Sequence, residues 1–251
     1  MQSSLAQLLC GWLTREQRVE LRQRLNRLLR PAFPGTLRRT TPLSRRWGYD
    51  RGLPVDRYYI ERFLAEHRRD IRGCVLEVKD SEYTTKYGTN VERIDVIDID
   101  PGNARASVVI DLAGPHTSGR SAEWDCFVLT QTLHLIYDIR AAIACAGMLL
   151  RPGGVLLATL PALSPVMAPN DRYQDYWRVT TASAGALFAE VFGTRQVSVR
   201  SYGNVLSAIA FLTGMASEEL SPREIDTNDN DIPVLIAVRA VKLGAERGYP
   251  A

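Results

Sequence analysis

Between positions 73 and 241 the sequence alternates short apolar runs with stretches of helical periodicity, and this alternation constrains the chain more than any other feature. The runs fall at 74–78, 94–99, 107–110, 126–130, 155–160, 196–200 and 234–241, with candidate helices near 81–87, 138–149, 181–191 and 204–220. Apolar runs separated by helices read as strands of a parallel sheet covered by helices on its faces. The expected fold is α/β: a Rossmann-like, mostly parallel sheet of seven strands flanked by helices, with an N-terminal helical extension. At 251 residues, one large core with an appendage fits better than two independent domains. We place a helical arm at 1–70 and the α/β core at 71–251.

Within the arm, Leu5, Leu8, Leu9, Trp12 and Leu13, then Val19, Leu21, Leu25, Leu28 and Leu29, recur mostly at helical spacing. Thr14 with Gln17 forms a capping-box pattern and Pro31 closes the segment, which predicts two helices divided near Thr14. An amphipathic stripe of this kind is expected to dock on the protein body or a partner, with a membrane surface as the alternative. Pairing of two copies through these helices is a further expectation. From 31 to 56, Pro31, Pro34, Gly35, Pro42, Gly48, Gly52 and Pro54 interrupt regular structure. Trp47, Tyr49, Arg51 and Tyr58 then gather before a helix running to about His67; stacking rings beside guanidinium groups suit a planar, sugar or anionic ligand. The same residues would serve equally as a belt anchoring the arm.

Composition narrows the class. An apolar content of 45% and a charged content of 24% are ordinary for a globular chain, and no apolar run reaches ~18 residues. The N-terminus lacks a basic start and a clear cleavage site, so a cytoplasmic protein is expected. Cys10, Cys74, Cys126 and Cys145 form no C-x-x-C pair, and no metal site is expected. The stretch from Asp226 resembles a calcium loop only at its start: Asp231 and Ala237 occupy positions that need glycine and glutamate. The net charge of +3 divides unevenly, with 15 arginines against 7 acids in residues 1–70 and an acidic excess beyond. A basic arm can attract phosphorylated substrates, anionic membranes or nucleic acid. Nucleic acid is the least favoured, because no RNA-binding module is recognisable.

In an open parallel sheet, ligands lie beyond the carboxyl ends of the strands. Those ends read Glu77-Val78-Lys79-Asp80, Asp98-Ile99-Asp100, Asp111-Leu112 and Thr130-Gln131-Thr132. The ordered series VLEV, IDIDPG, VVIDL, EWDCFVLTQTLHLIYD, LLRPGGVLLATLP and YWRVTTASAGALFAEVFG resembles successive motifs of class I S-adenosylmethionine-dependent methyltransferases over residues 73–242. The segments SRRWGYDRG and DYWRVT further resemble bacterial members of glycan or secondary-metabolite biosynthesis.

The resemblance implies S-adenosylmethionine as cofactor and methyl transfer to an oxygen or nitrogen of a small molecule or sugar. It implies that Asp98, with Asp100 as fallback, holds the ribose hydroxyls, that Asp111 and Leu112 meet the adenine, and that Glu77 organises the loop around the methionine part. Val78, Lys79, Asp80, Ser81, Thr130 and Gln131 complete the cofactor-binding set. One departure stands out. Where relatives carry three glycines, this chain has Lys79, Ser81 and Tyr83, which obstruct close approach and positive φ. Asp80 or Ser81 could cap the short helix that follows and so leave backbone N–H groups for a carboxylate. The departure also raises the alternative of an inactive or repurposed member of the fold. His134, just after the fourth run, is the candidate base. The segment 161–180 has the length of a lid or acceptor loop and supplies Tyr173, Tyr176, Trp177 and Arg178 as candidate acceptor ligands.

Overall fold

The computed structural model describes residues 14–31, 39–114, 121–167 and 174–244. Seven strands form one sheet: β1 (Gly73–Val78), β2 (Val91–Asp98), β3 (Val108–Val109), β4 (Trp124–Thr130), β5 (Leu150–Pro161), β6 (Val197–Tyr202) and β7 (Leu235–Val241). Their order is β3-β2-β1-β4-β5-β7-β6. The pairs among β1 to β5 are parallel, while β7 runs antiparallel to both β5 and β6. The central strands are buried along almost their whole length, which explains why they read as continuous apolar runs rather than as alternating ones.

The helices are α1 (Arg15–Leu29), α2 (Val55–Glu66), α3 (Glu82–Tyr87), α4 (Ile139–Leu149), α5 (Thr181–Phe192), α6 (Val205–Thr213) and α7 (Pro222–Asp226). Local chemistry fixes their starts. Thr14 and Gln17 form the expected capping box at α1, and Thr180 with Ser183 does the same at α5. Asp138 accepts from the Ala141 N–H at the start of α4. The single helix expected over 204–220 is instead divided. Gly214 takes a left-handed conformation (φ 74°) that closes α6, with a side chain at that point running into the Ser44 backbone, and a 3₁₀ turn (Ser217–Glu219) and α7 follow.

Packing divides the chain into two compact units. One joins the described residues up to Tyr58 with Gly203–Ile232, and the other comprises Tyr59–Tyr202 with the described residues from Pro233 onward. In the sheet unit, Leu76, Phe127, Leu129, Leu156 and Ile236 pack with Ile143, Ala146 and Leu149 of α4 and Phe188 of α5. In the other unit, the Arg51 guanidinium is almost fully buried and grips Glu219 by two hydrogen bonds of 2.9 and 2.5 Å. A bidentate pair this enclosed is tolerated because each charge satisfies the other.

Candidate functional site

The strand order creates the site. From β1 the chain proceeds outward to β2 and β3, then returns to lay β4 on the other side of β1, so the switch point of the sheet, where open α/β sheets place their ligand crevice, lies at the carboxyl ends of β1 and β4. The residue following each strand end takes positive φ: Lys79 at 72° after β1, and Gln131 at 44° after β4. Such a conformation costs a non-glycine residue about 1–2 kcal/mol and persists only where neighbours impose it. Here they do, because the Lys79 N–H donates to the Ile97 carbonyl at 2.8 Å and the Gln131 N–H to the Thr159 carbonyl at 3.0 Å.

Lys79 thus holds a glycine's backbone shape without being glycine. Ser81 has φ −119° and Tyr83 lies within α3, so neither requires the freedom that glycine provides. Of the three departures from the resembled pattern, only Lys79 carries a conformational cost.

Glu77, at the end of β1, is almost fully buried and spends both carboxylate oxygens on α3, accepting from the Tyr83 N–H at 3.0 Å and the Thr84 N–H at 2.7 Å. Burial pushes its carboxyl up to about 7 against the lowering effect of those hydrogen bonds. Asp80 accepts from the Glu82 N–H at 3.1 Å, and Ser81 makes no side-chain cap. The N–H groups expected to remain for a carboxylate ligand are therefore consumed by the chain's own acids, a correction to the sequence reading. Val78 leans on the core, while the Lys79 side chain is exposed.

At the end of the neighbouring strand β2, Asp98 keeps spare acceptor capacity. Asp98 accepts from the Asp100 N–H at 3.0 Å and from the Asn103 side-chain amide at 2.7 Å, which occupies two of the ~4 acceptor positions of a carboxylate. Asn103 also donates to the Lys79 carbonyl at 2.9 Å and so ties the β2 end to the first loop. Nothing in its sequence context beyond a D-P-G-N turn marks Asn103 for this role. Asp100 accepts from the Gly102 N–H, and the exposed Asp111 accepts from Ala113, both as turn formers. Leu112 is buried in the core, as is the backbone around Thr130, whose carbonyl accepts from the Thr132 hydroxyl.

Beyond β4 a 3₁₀ turn (Leu133–Leu135) carries His134. The His134 carbonyl accepts from the Tyr176 and Trp177 N–H groups at 2.9 and 3.2 Å, so the segment expected to serve as a lid is stitched to this turn. Burial lowers the imidazole to about 4, and Nδ1 is enclosed without a hydrogen-bond partner among the described residues. The ring is neutral near pH 7, and a group that releases its proton at about 4 is a weak general base. The structure thus counts against proton abstraction by His134. Trp177 does not pack inward: it is 37% exposed, donates from Nε1 to the Ile136 carbonyl at 3.0 Å and stacks near Tyr137, which also meets Tyr176 edge-on. Tyr137 is a member of this aromatic group that periodicity did not single out. Arg178 is held bidentately by the buried Asp175 carboxylate, at 2.5 and 2.8 Å, and also donates to the Pro165 carbonyl. It braces the loop rather than offering a free cation. Tyr173 lies outside the described residues.

The arm candidates separate likewise. Arg51 is committed to Glu219 and is not available to a ligand, and the Tyr58 hydroxyl donates to Asp226 at 2.7 Å. Tyr49 is exposed and Trp47 half-buried. Among the described residues no cluster of three His, Cys, Asp or Glu side chains is placed to hold a metal.

No family model matches this sequence, and no curated protein does. Solved structures with a similar chain course include a protein from Bordetella parapertussis described as a possible exported protein, at 15% identity over 90% of this chain and 79% of that one, with a TM-score of 0.49. An S-adenosylmethionine-dependent methyltransferase from Archaeoglobus fulgidus is 11% identical over 74% and 94% of the two chains (TM-score 0.48). The 1,6-didemethyltoxoflavin N1-methyltransferase of Burkholderia thailandensis, solved with its substrate and S-adenosylhomocysteine, is 15% identical over 74% and 77% (TM-score 0.44). At such identities the likeness concerns the path of the chain and not its chemistry. The strand order, with β7 antiparallel between β5 and β6, is the Rossmann-like, mostly parallel seven-stranded arrangement that the alternation of apolar runs and helices predicts.

Proposed function

We propose that this chain is an S-adenosylmethionine-dependent methyltransferase acting on an oxygen or nitrogen of a small molecule or sugar. The observation that carries the reading is the positive-φ backbone of Lys79 at the switch point between β1 and β4, where a non-glycine residue holds the backbone shape that the resembled pattern gives to glycine. Asp98 would accept the ribose hydroxyls through its remaining lone pairs, and Asp111 would meet the adenine amine. With the α3 N–H groups spent on Glu77 and Asp80, the exposed Lys79 ammonium is the positive group left on this loop for the carboxylate of the methionine part. The bound cofactor supplies an electrophilic methyl group on a sulfonium. The chain's part is then positioning: Tyr137, Tyr176 and Trp177 present stacking faces, and the neutral His134 turn holds them in place.

A second reading is favoured by the same loop. Its internally satisfied N–H groups and its lack of glycines suit a fold retained as a binding or assembly module without methyl transfer. Calorimetric titration with S-adenosylmethionine and S-adenosylhomocysteine separates the two. The first reading expects binding that falls by at least about tenfold in Asp98→Ala and by a smaller factor in Lys79→Ala, each lost charge-assisted hydrogen bond being worth ~1.5–3 kcal/mol. Absence of binding at millimolar ligand rejects it in favour of the second.

A further inference from the structure

Helix α1 is docked by the face that amphipathic helices normally leave in water. Gln23 donates to the Tyr49 carbonyl at 3.0 Å, Asn26 to the Asp50 carbonyl at 2.7 Å, and Arg27 to the Arg51 carbonyl. These three side chains project from one side of the helix. Leu21, Leu25 and Leu28, at positions i, i+4 and i+7, project from the other and are 46%, 46% and 76% exposed; no residue of α1 is buried. Arg18 and Arg24 flank the leucine stripe on its two sides, with Arg22 beside Arg18. From Arg15 to Arg30 there are six arginines against two glutamates, and one of those acids, Glu20, is already paired with Arg24 at 2.6 Å.

We propose that α1 is a membrane-surface helix, its leucine face entering the boundary between headgroups and acyl chains of an anionic bilayer while Arg18, Arg22 and Arg24 engage lipid phosphates. The choice of occupant follows from charge. A second copy laid on the same stripe would bring two arginine-flanked faces together, and like charges on facing helices repel. An anionic lipid surface satisfies the leucines and the arginines at once, each arginine near the surface contributing ~1 kcal/mol. Among the described residues no helix is long and apolar enough to cross a membrane, so α1 would lie along the surface. This inference is independent of the methyl-transfer reading, because it uses no residue of the crevice.

The test is co-sedimentation of the full chain with vesicles of phosphatidylcholine, alone or with phosphatidylglycerol. The expected result is binding to the anionic vesicles, little to the neutral ones, and a loss of about tenfold or more in Leu21→Ser/Leu25→Ser/Leu28→Ser. Arg18→Gln/Arg22→Gln should weaken binding to the anionic vesicles by about tenfold. The substituted residues are exposed, so an unchanged thermal unfolding curve verifies that the variants fold. No binding by the parent chain, or binding that the leucine variant leaves intact, overturns the proposal. So does analytical ultracentrifugation that finds a dimer in the parent chain and a monomer in the leucine variant, since the stripe would then cover a second copy.

Discussion

Helices α1 and α4 are both amphipathic in sequence, yet they meet opposite fates. In α4, Ile139, Ala142, Ile143, Cys145, Ala146 and Leu149 are buried, and the helix covers one face of the sheet. In α1 no residue is buried, its leucines face outward, and the contacts made by its polar side are hydrogen bonds to backbone carbonyls. Helical spacing announces that a helix has two faces. Which of them docks depends on the partner surface, and that surface is itself a product of the fold.

The comparison breaks most visibly under truncation. Ile143→Ala should cost about 2–5 kcal/mol in denaturant unfolding, because it leaves a cavity between helix and sheet. Leu25→Ala, the same kind of change on α1, should stay within about 0.5 kcal/mol; a large loss there would mean that the leucine stripe is covered in solution.

Ionisable groups enclosed in the sheet unit sharpen the contrast through pH. His134 is held at about 4 by burial, from an ordinary value of 6.5, so between those values the unfolded chain binds more protons and stability rises with pH. Glu77 is raised from 4.5 to about 7, so across that interval the folded chain binds more protons and stability falls as pH rises. Over pH 5 to 6.5 the two slopes oppose each other. His134→Asn should therefore expose the falling slope and Glu77→Gln the rising one, each amounting to about 2 kcal/mol in urea unfolding curves collected across this range. A flat profile for either variant would show that the group it retains titrates normally.

A smaller loss than these pH slopes concerns the docking of α1. Asn26→Ala removes its hydrogen bond to the Asp50 carbonyl and should cost about 1 kcal/mol, measured as faster amide exchange in α1. Little change there would mean that the polar contacts of α1 are incidental and that its orientation is set elsewhere.

Much of the framework was legible in advance. The apolar runs located all seven strands, including the short β3, and Thr14 with Gln17 marked the start of α1. The rim acids Glu77, Asp98 and Asp111 could be placed at strand ends because a polar residue closing an apolar run is a local signal. The missed features are non-local or geometric. The Arg51–Glu219 pair joins residues 168 positions apart, Asn103 reaches across to the first loop, and Glu77 turns back to cap α3. Gly214, which divides the helix expected over 204–220, is a local signal whose weight is clear only from its crowding against Ser44.

By itself the sequence determined the periodicities, hence the number and kind of elements and which residues close each strand, because backbone hydrogen bonding and the burial of apolar side chains act within a few neighbours. Only the tertiary structure decided that β4 lies beside β1, that Lys79 and Gln131 take left-handed backbone at the switch point so formed, and that α1 docks with its leucines outward. These depend on which surfaces meet. That meeting is settled by the joint packing of segments far apart in the chain, which no single stretch of residues encodes.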